Sequence, residues 1–280
     1  MKRVRGFALL VLLCLTLYAP GLASIPPVDR DEACFAQATR QMLETGDFIR
    51  IRFQDQARNK KPIGIHWLQA AAVTLLSRPG NTAIWPYRLP SVLAATLAVL
   101  LSSALGAILL SSHRAGFGAG VVMASALGLV VEAHLAKTDA ALLAAVAAGQ
   151  LALGIVYVRA RAGYPVHWRL AVVFWTAQAA GILLKGPAVA ALALLTVTTL
   201  SIADHDIRWI KGLRPIPGLV LTTLIAAPWF VAIEQATEGE FHAESLWQDL
   251  APKLVAAQES HGAPPGSLSG GRWREVFGFP

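Results

Sequence analysis

The sequence predicts an all-α integral membrane protein, a helical bundle of about seven transmembrane segments with a long first outer loop that carries surface helices. Three observations lead there. Of the 280 residues, 55% are apolar and only 15% charged, against roughly 45–50% and 25% in soluble domains. Mean hydropathy is +0.53. The apolar residues also gather into seven runs, at about 7–25, 89–111, 115–133, 140–158, 170–184, 187–203 and 216–233. Each is near the ~20 residues needed to cross hydrocarbon, the fifth and sixth at the short end. Such a composition excludes a disordered chain. The net charge of +7 is spread through greasy sequence rather than gathered on one face, which argues against a nucleic-acid binder. Cys14 and Cys34 make neither a disulfide framework nor a zinc set.

The first run follows Lys2, Arg3 and Arg5. Gly21 and Ala23 would suit a signal peptidase, but the runs that follow favour an uncleaved first span. With the N-terminus in the cytoplasm, the inner segments hold Lys2, Arg3, Arg5, Arg114, Arg159, Arg161, Arg169, Arg208, Lys211 and Arg214. The two short outer loops hold only Lys137 and Lys185. That asymmetry follows the positive-inside rule. It places 26–88, 132–139, the turn at 185 and everything after about 234 outside.

In the first outer loop, Pro26-Pro27 stops the first span and Asp29-Arg30-Asp31-Glu32 follows. Ala33 to Glu44 contains no Gly or Pro, and Gly46 ends it, so this stretch reads as a short helix along the membrane surface. Asp31 and Glu32 have two readings. They cap that helix, or a carboxylate at the edge of the first span takes a proton or holds a cation in an interfacial pocket. The cluster Arg58-Asn59-Lys60-Lys61-Pro62 precedes Ile63 to Leu68. It is either a headgroup-binding patch with Trp67 as interfacial anchor, or Lys60 or Lys61 holds the phosphate of a lipid carrier. Asp139 is an N-cap of the fourth span or a second functional carboxylate.

With this topology Asp29, Asp31, Glu32, Lys60, Lys61, Asp139, Lys185, Lys253 and His261 all fall on the outer side, from five separate stretches. No Walker or dinucleotide phosphate loop occurs. Gly116, Gly118 and Gly120 lie inside a span and read as close helix packing. A lipid-borne substrate is therefore more natural than a soluble nucleotide.

Asp31-Glu32 after the first span, Gln41 to Asp47, and Lys61-Pro62 before Trp67-Leu68 together resemble the polyprenyl-phosphate-sugar glycosyltransferases of the GT-C fold. These include protein O-mannosyltransferases and the lipid A aminoarabinose transferases, the latter being the nearer branch. His134 to Leu143, with Asp139, resembles the family's second outer-loop motif. Leu184-Lys185-Gly186-Pro187 resembles its Lys-Gly-Pro turn, and Pro228-Trp229-Phe230 its Pro-Trp-Phe. Both of these are also ordinary structural features, a turn and an interfacial Trp.

The resemblance implies transfer, with inversion, of a sugar from a polyprenyl-phosphate donor to lipid A, another envelope glycolipid or a protein. The reaction would take place on the outer face of the cytoplasmic membrane. Asp31, Glu32 and Asp139 would be the catalytic carboxylates, Lys60, Lys61, Lys185 and Lys253 would hold the donor phosphate, and His261 would help hold a divalent metal. Cys34-Phe35 replaces a basic-aromatic pair, Lys60 stands where the nearer branch has a metal-holding Glu, His66 replaces a Tyr, and Ile63 a second Pro. Residues 1–235 would form the catalytic membrane module, 236–266 an outer segment and 267–280 a tail unlike the family. Relatives are about twice as long, so a premature end or frameshift near 267, and with it an inactive fragment, is a second expectation. A transporter is a third class, disfavoured because the charges sit at loop edges rather than mid-span and no repeat is evident.

Overall fold

The computed structural model describes residues 3–58, 61–77, 83–237 and 241. All seven apolar runs contain helix, but the first is helical only to Tyr18; residues 19–25 form turns, so its helix ends before the expected stop at Pro26-Pro27. The first is α1 (Arg3–Tyr18), and the outer loop supplies α2 (Arg30–Thr45), a two-residue hairpin β1 (Arg52–Phe53) and β2 (Gln56–Ala57), and α3 (Gly64–Leu76). Then come α4 (Trp85–Leu109), α5 (His113–Ser125), α6 (Leu127–Ala133), α7 (Asp139–Arg161), α8 (Trp168–Lys185), α9 (Ala188–Asp204), a 3-10 helix (Arg208–Leu213) and α10 (Pro215–Ala236). Of the predicted 236–266 segment only Ala236, Thr237 and Phe241 are described, and 267–280 lies outside the described residues.

The expectation of seven spans divides on length. Among the described residues α4, α7 and α10 are each long and apolar enough to cross a membrane, and α5 with α6 makes a fourth if the bent pair is one span. The helices α1 and α9 are apolar but shorter, and α8 includes Arg169 and Lys185 within its 18 residues. The run 115–133 is not one straight helix. It breaks at Ala126, whose backbone is extended, and turns by 61°. No Pro or Gly marks the break. Tyr18, fully buried, donates its hydroxyl to Ala124 O at 3.0 Å beside the break, so a carbonyl at the end of α5 keeps a partner in an apolar setting.

At the centre of the bundle α7 packs against both α4 and α8. Half of its apolar window is buried, against 28% for α4 and α10. Alanine makes this possible: Ala140, Ala141, Ala144, Ala145 and Ala152 are buried and let backbones approach closely. The expected glycine packing is present at Gly116 and Gly120, which face Ser103 and Ala107 of α4 and Leu10 of α1, while Gly118 faces open space. Leu93, Leu97, Leu194, Leu195, Leu219 and Leu224 point outward, as suits a helix whose solvent is hydrocarbon.

The surface helix α2 begins earlier than expected and is capped by a different residue. Asp29, in extended conformation, accepts from the amides of Asp31 and Glu32, so neither of the acidic pair is the cap. The helix ends at Gly46, whose left-handed φ of 72° allows its amide to reach Met42 O. The apolar face of α2 joins Ile51, Ile63, Leu183, Trp229 and Ile233 in one cluster. There Trp229 is buried and donates to Ile49 O at 3.1 Å, so it clamps the outer loop onto α10 rather than anchoring an interface.

Candidate functional site

One end of the bundle gathers the N-terminus of α2, the loop after the hairpin, the start of α7 and the last turn of α8. Lys185 closes α8 and reaches Asp139 in the first turn of α7, forming an ion pair across the two helices. Gly186, at φ 73° and ψ −145°, turns the chain directly after Lys185, a conformation open to glycine alone. Thr138 rather than Asp139 occupies the N-cap of α7, without a side-chain bond, so the capping reading of Asp139 is not realised. Asp31 faces Arg58 at 3.5 Å and remains one-third exposed.

Lys61 stands between these two pairs. Its ammonium lies 5.0 Å from the Phe35 ring centroid, and the Arg58 guanidinium lies 5.1 Å from the same ring. Burial lowers the Lys61 pKa, and the fields of Asp31 and Asp139 offset part of that effect. Lys61 is thus a partly desolvated cation that feels both carboxylates. On the other side, Lys137 bonds Asp29 at 3.1 Å and Glu132 at 3.5 Å. Burial pushes the Lys137 ammonium down, but Glu132 and Asp29 more than restore it and its pKa is raised. Burial likewise raises Asp29, and Lys137 together with two backbone amides outweighs it, so Asp29 ends below the usual carboxylate range.

Glu32 does not join this exposed group. It is fully buried and holds Arg88 in a two-pronged pair at 2.7 and 3.0 Å. The Glu32 carboxylate also accepts from Ala136 N at 3.0 Å. Arg88 places its remaining N–H groups on Leu22 O, Ile25 O and Pro26 O. With its lone pairs committed to Arg88 and a backbone amide, Glu32 has the geometry of a positioning residue, not of a base that meets substrate.

The same loop is gripped from a second side. Gln69 donates to Ala136 O at 3.0 Å, Ser91 donates to Leu135 O at 2.6 Å, and Thr39 donates its hydroxyl to Gln69 Oε1 at 2.7 Å. Thr39 has one hydroxyl proton, so His66 must donate from Nδ1 to Thr39 Oγ1 at 2.8 Å, which assigns its tautomer. Burial, with Arg58 and Lys61 nearby, drives the His66 pKa down to about 3 and keeps the ring neutral. The N–H and the C=O of Ala136 are therefore both held by buried side chains, which fixes the segment carrying Lys137 and Asp139.

Of the residues singled out from sequence, Asp31, Lys61, Asp139 and Lys185 meet at this end of the bundle, whereas Lys60, Lys253 and His261 lie outside the described residues. Among the described residues no three His, Cys, Asp or Glu side chains form a metal-binding group. Asp31 and Asp139 instead face Arg58 and Lys185. That donor set suits anions held by cations and does not fit a divalent ion. Arg88, Thr39, Gln69 and Glu132 escaped the sequence reading. Arg88 alone left a signal, a lone arginine entering an apolar run, which demands a partner.

The family model described as dolichyl-phosphate-mannose-protein mannosyltransferase matches residues 7–246. The chain is 25% identical over 257 residues to an undecaprenyl phosphate-alpha-4-amino-4-deoxy-L-arabinose arabinosyl transferase of Aeromonas salmonicida, covering 91% of this chain and 45% of the relative. A Pectobacterium carotovorum protein of the same description is 26% identical, covering 84% and 41%. The chain thus spans less than half the length of these relatives. The crystal structure of ArnT from Cupriavidus metallidurans in the apo state superimposes with a TM-score of 0.74 at 23% identity, covering 86% of this chain and 43% of that one. The same protein bound to undecaprenyl phosphate gives 0.73 at 22%, covering 88% and 44%. These similarities establish the GT-C membrane fold predicted from sequence. On the family match across most of its length, the chain belongs to the dolichyl-phosphate-mannose-protein mannosyltransferase family.

Proposed function

We propose that this chain supplies the carboxylate and phosphate-binding part of a membrane glycosyltransferase that takes a sugar from a polyprenyl-phosphate donor. The observation that carries the reading is the placement of Lys61 beside the Asp31–Arg58 and Asp139–Lys185 pairs. An acceptor oxygen attacks the anomeric carbon while the bond from that carbon to the donor phosphate oxygen breaks. The phosphate leaves with the bonding electrons, and its growing charge is met by Lys61 and Lys185, which are already oriented. For a hydroxyl acceptor the proton passes to Asp31, the more loosely paired carboxylate, 3.5 Å from Arg58. A phosphate acceptor needs no base, and Asp31 then orients it. Asp139 holds Lys185 in place and assists.

In this reading the N-terminus is cytoplasmic and the site faces outward, where Lys60 and Lys253 add phosphate contacts and lipid A, another glycolipid or a protein accepts the sugar. The fold's similarity to a protein crystallised with undecaprenyl phosphate supports a lipid-borne donor. The test is transfer by the membrane-reconstituted chain from radiolabelled polyprenyl-phosphate sugars to lipid A or peptide acceptors, beside Asp31→Asn and Lys61→Gln. Transfer that both variants reduce bears the reading out. No transfer from any donor, or transfer undiminished in both variants, overturns it.

A further inference from the structure

The opposite end of the bundle carries a second feature that the transferase reading leaves unused. Trp168 opens α8 and Lys185 closes it, 17 residues later. At 1.5 Å per residue the two ends lie about 25 Å apart. At the Trp168 end, α8 and α10 border a cavity of about 160 Å³ lined by Trp168, Val172, Trp175, Pro217, Leu221 and Arg214. Its wall is rigid. Trp175 donates its indole N–H to Leu213 O at 2.7 Å, and Thr222 donates to Trp175 O at 3.1 Å, tying α10 to α8 deeper in the bundle. Gly218 leaves room for the Trp175 ring, since any Cβ there would strike the indole.

The mouth is cationic. Arg214 lies on the rim and is exposed, and Arg169 sits 6.0 Å from the Trp168 ring centroid. Arg208 and Lys211 precede Arg214 in the same connection, where Asp206 already accepts from the Arg208 amide. Asp204, the other carboxylate of this end, is taken by Arg161 and Tyr157. An apolar slot bordered by arginines is complementary to one acyl chain joined to one negative headgroup.

We propose that the slot between α8 and α10 binds an anionic phospholipid of the leaflet opposite the candidate site, with its phosphate on Arg214 and Arg169 and its acyl chain along Trp175, Val172 and Leu221. The inference requires that the bundle spans the membrane and does not depend on transferase activity, so either claim can fail alone.

The test is native mass spectrometry of the full chain in mild detergent with phosphatidylglycerol or phosphatidylcholine of identical acyl chains. Phosphatidylglycerol is expected to be retained preferentially. Arg169→Gln combined with Arg214→Asn, the latter chosen because Asn tolerates the positive φ of 50° at this position, lowers that retention about twenty-fivefold, at roughly fivefold per arginine. Val172→Trp fills the slot and lowers retention with both arginines present. Arg40→Gln, at the far end of the molecule, leaves it unchanged. Equal retention of the two lipids, an undiminished adduct in either slot variant, or an equal loss in Arg40→Gln overturns the proposal. So does a chain dimer that Val172→Trp dissociates, which would assign the slot to a second copy.

Discussion

Removing Arg88 tests whether the buried pair beneath the site holds the outer loop in place. All five guanidinium N–H groups are used: two on Glu32 at 2.7 and 3.0 Å, two on Leu22 O and Ile25 O at 2.9 and 2.7 Å, and one on Pro26 O at 3.4 Å. Arg88→Met leaves the Glu32 carboxylate fully buried with only the Ala136 amide as donor. Breaking such a pair on one side costs about 3–5 kcal/mol. Glu32→Gln costs less, because an amide oxygen and three carbonyls still face the arginine. Glu32→Met with Arg88→Met removes both charges, so the double variant is expected to be no worse than Arg88→Met alone, with a coupling energy of about 2 kcal/mol or more. Reversible unfolding in mixed micelles, followed by helical circular dichroism, of wild type, Arg88→Met, Glu32→Met and the double variant gives the four stabilities of the cycle. The reasoning is refuted if Arg88→Met stays within about 1 kcal/mol of wild type, or if the two single effects simply add.

The other predictions concern the site and its frame. Lys61→Gln should lower transfer about a hundredfold or more, the scale for one oriented group that meets developing charge, with little change in unfolding; a fall in stability matching the fall in rate would assign Lys61 to the frame instead. Gly64→Ala should weaken both stability, by about 1–3 kcal/mol, and transfer, because a Cβ there would sit 2.7 Å from Leu183 O and push α3, and Lys61 before it, away from Lys185; unchanged unfolding and rate would contradict that contact. His66 titrates near 6.5 when unfolded and at about 3 when folded. Its contribution is therefore fully present above pH 6.5 and is lost as pH falls toward 3. His66→Gln should flatten the acid side of the stability profile in that window, and a profile identical to wild type would refute the neutral buried ring.

Much of the fold was legible because hydrophobicity and charge asymmetry are local signals. The apolar runs, the surface helix ended by Gly46 and the glycine contacts at 116 and 120 can be read where they stand in the chain; the end of the first helix could not, since it stops at Tyr18 and not at Pro26-Pro27. The capping details could not be. Asp29, Asp31 and Glu32 are interchangeable by propensity, and only the backbone conformation at Asp29 decided among them. The bend at Ala126 carries no Pro or Gly, and its partner Tyr18 lies 106 residues away. The site divides in the same way. Asp31, Lys61, Asp139 and Lys185 were recognisable as charged residues at the edges of apolar runs, where the chain leaves hydrocarbon.

The sequence by itself determined a membrane-embedded helical bundle with the candidate charges at the edges of its apolar runs, since both follow from the cost of placing polar groups in hydrocarbon. Only the tertiary structure decided how those charges pair. It set Asp139 on Lys185, 46 residues apart, and Asp31 on Arg58. It also separated Glu32 from Asp31, adjacent in the chain, sending one inward to Arg88 and leaving the other at the site. Successive residues of a helix point about 100° apart, so neighbours in sequence meet different surroundings, and which surroundings those are depends on packing between distant segments.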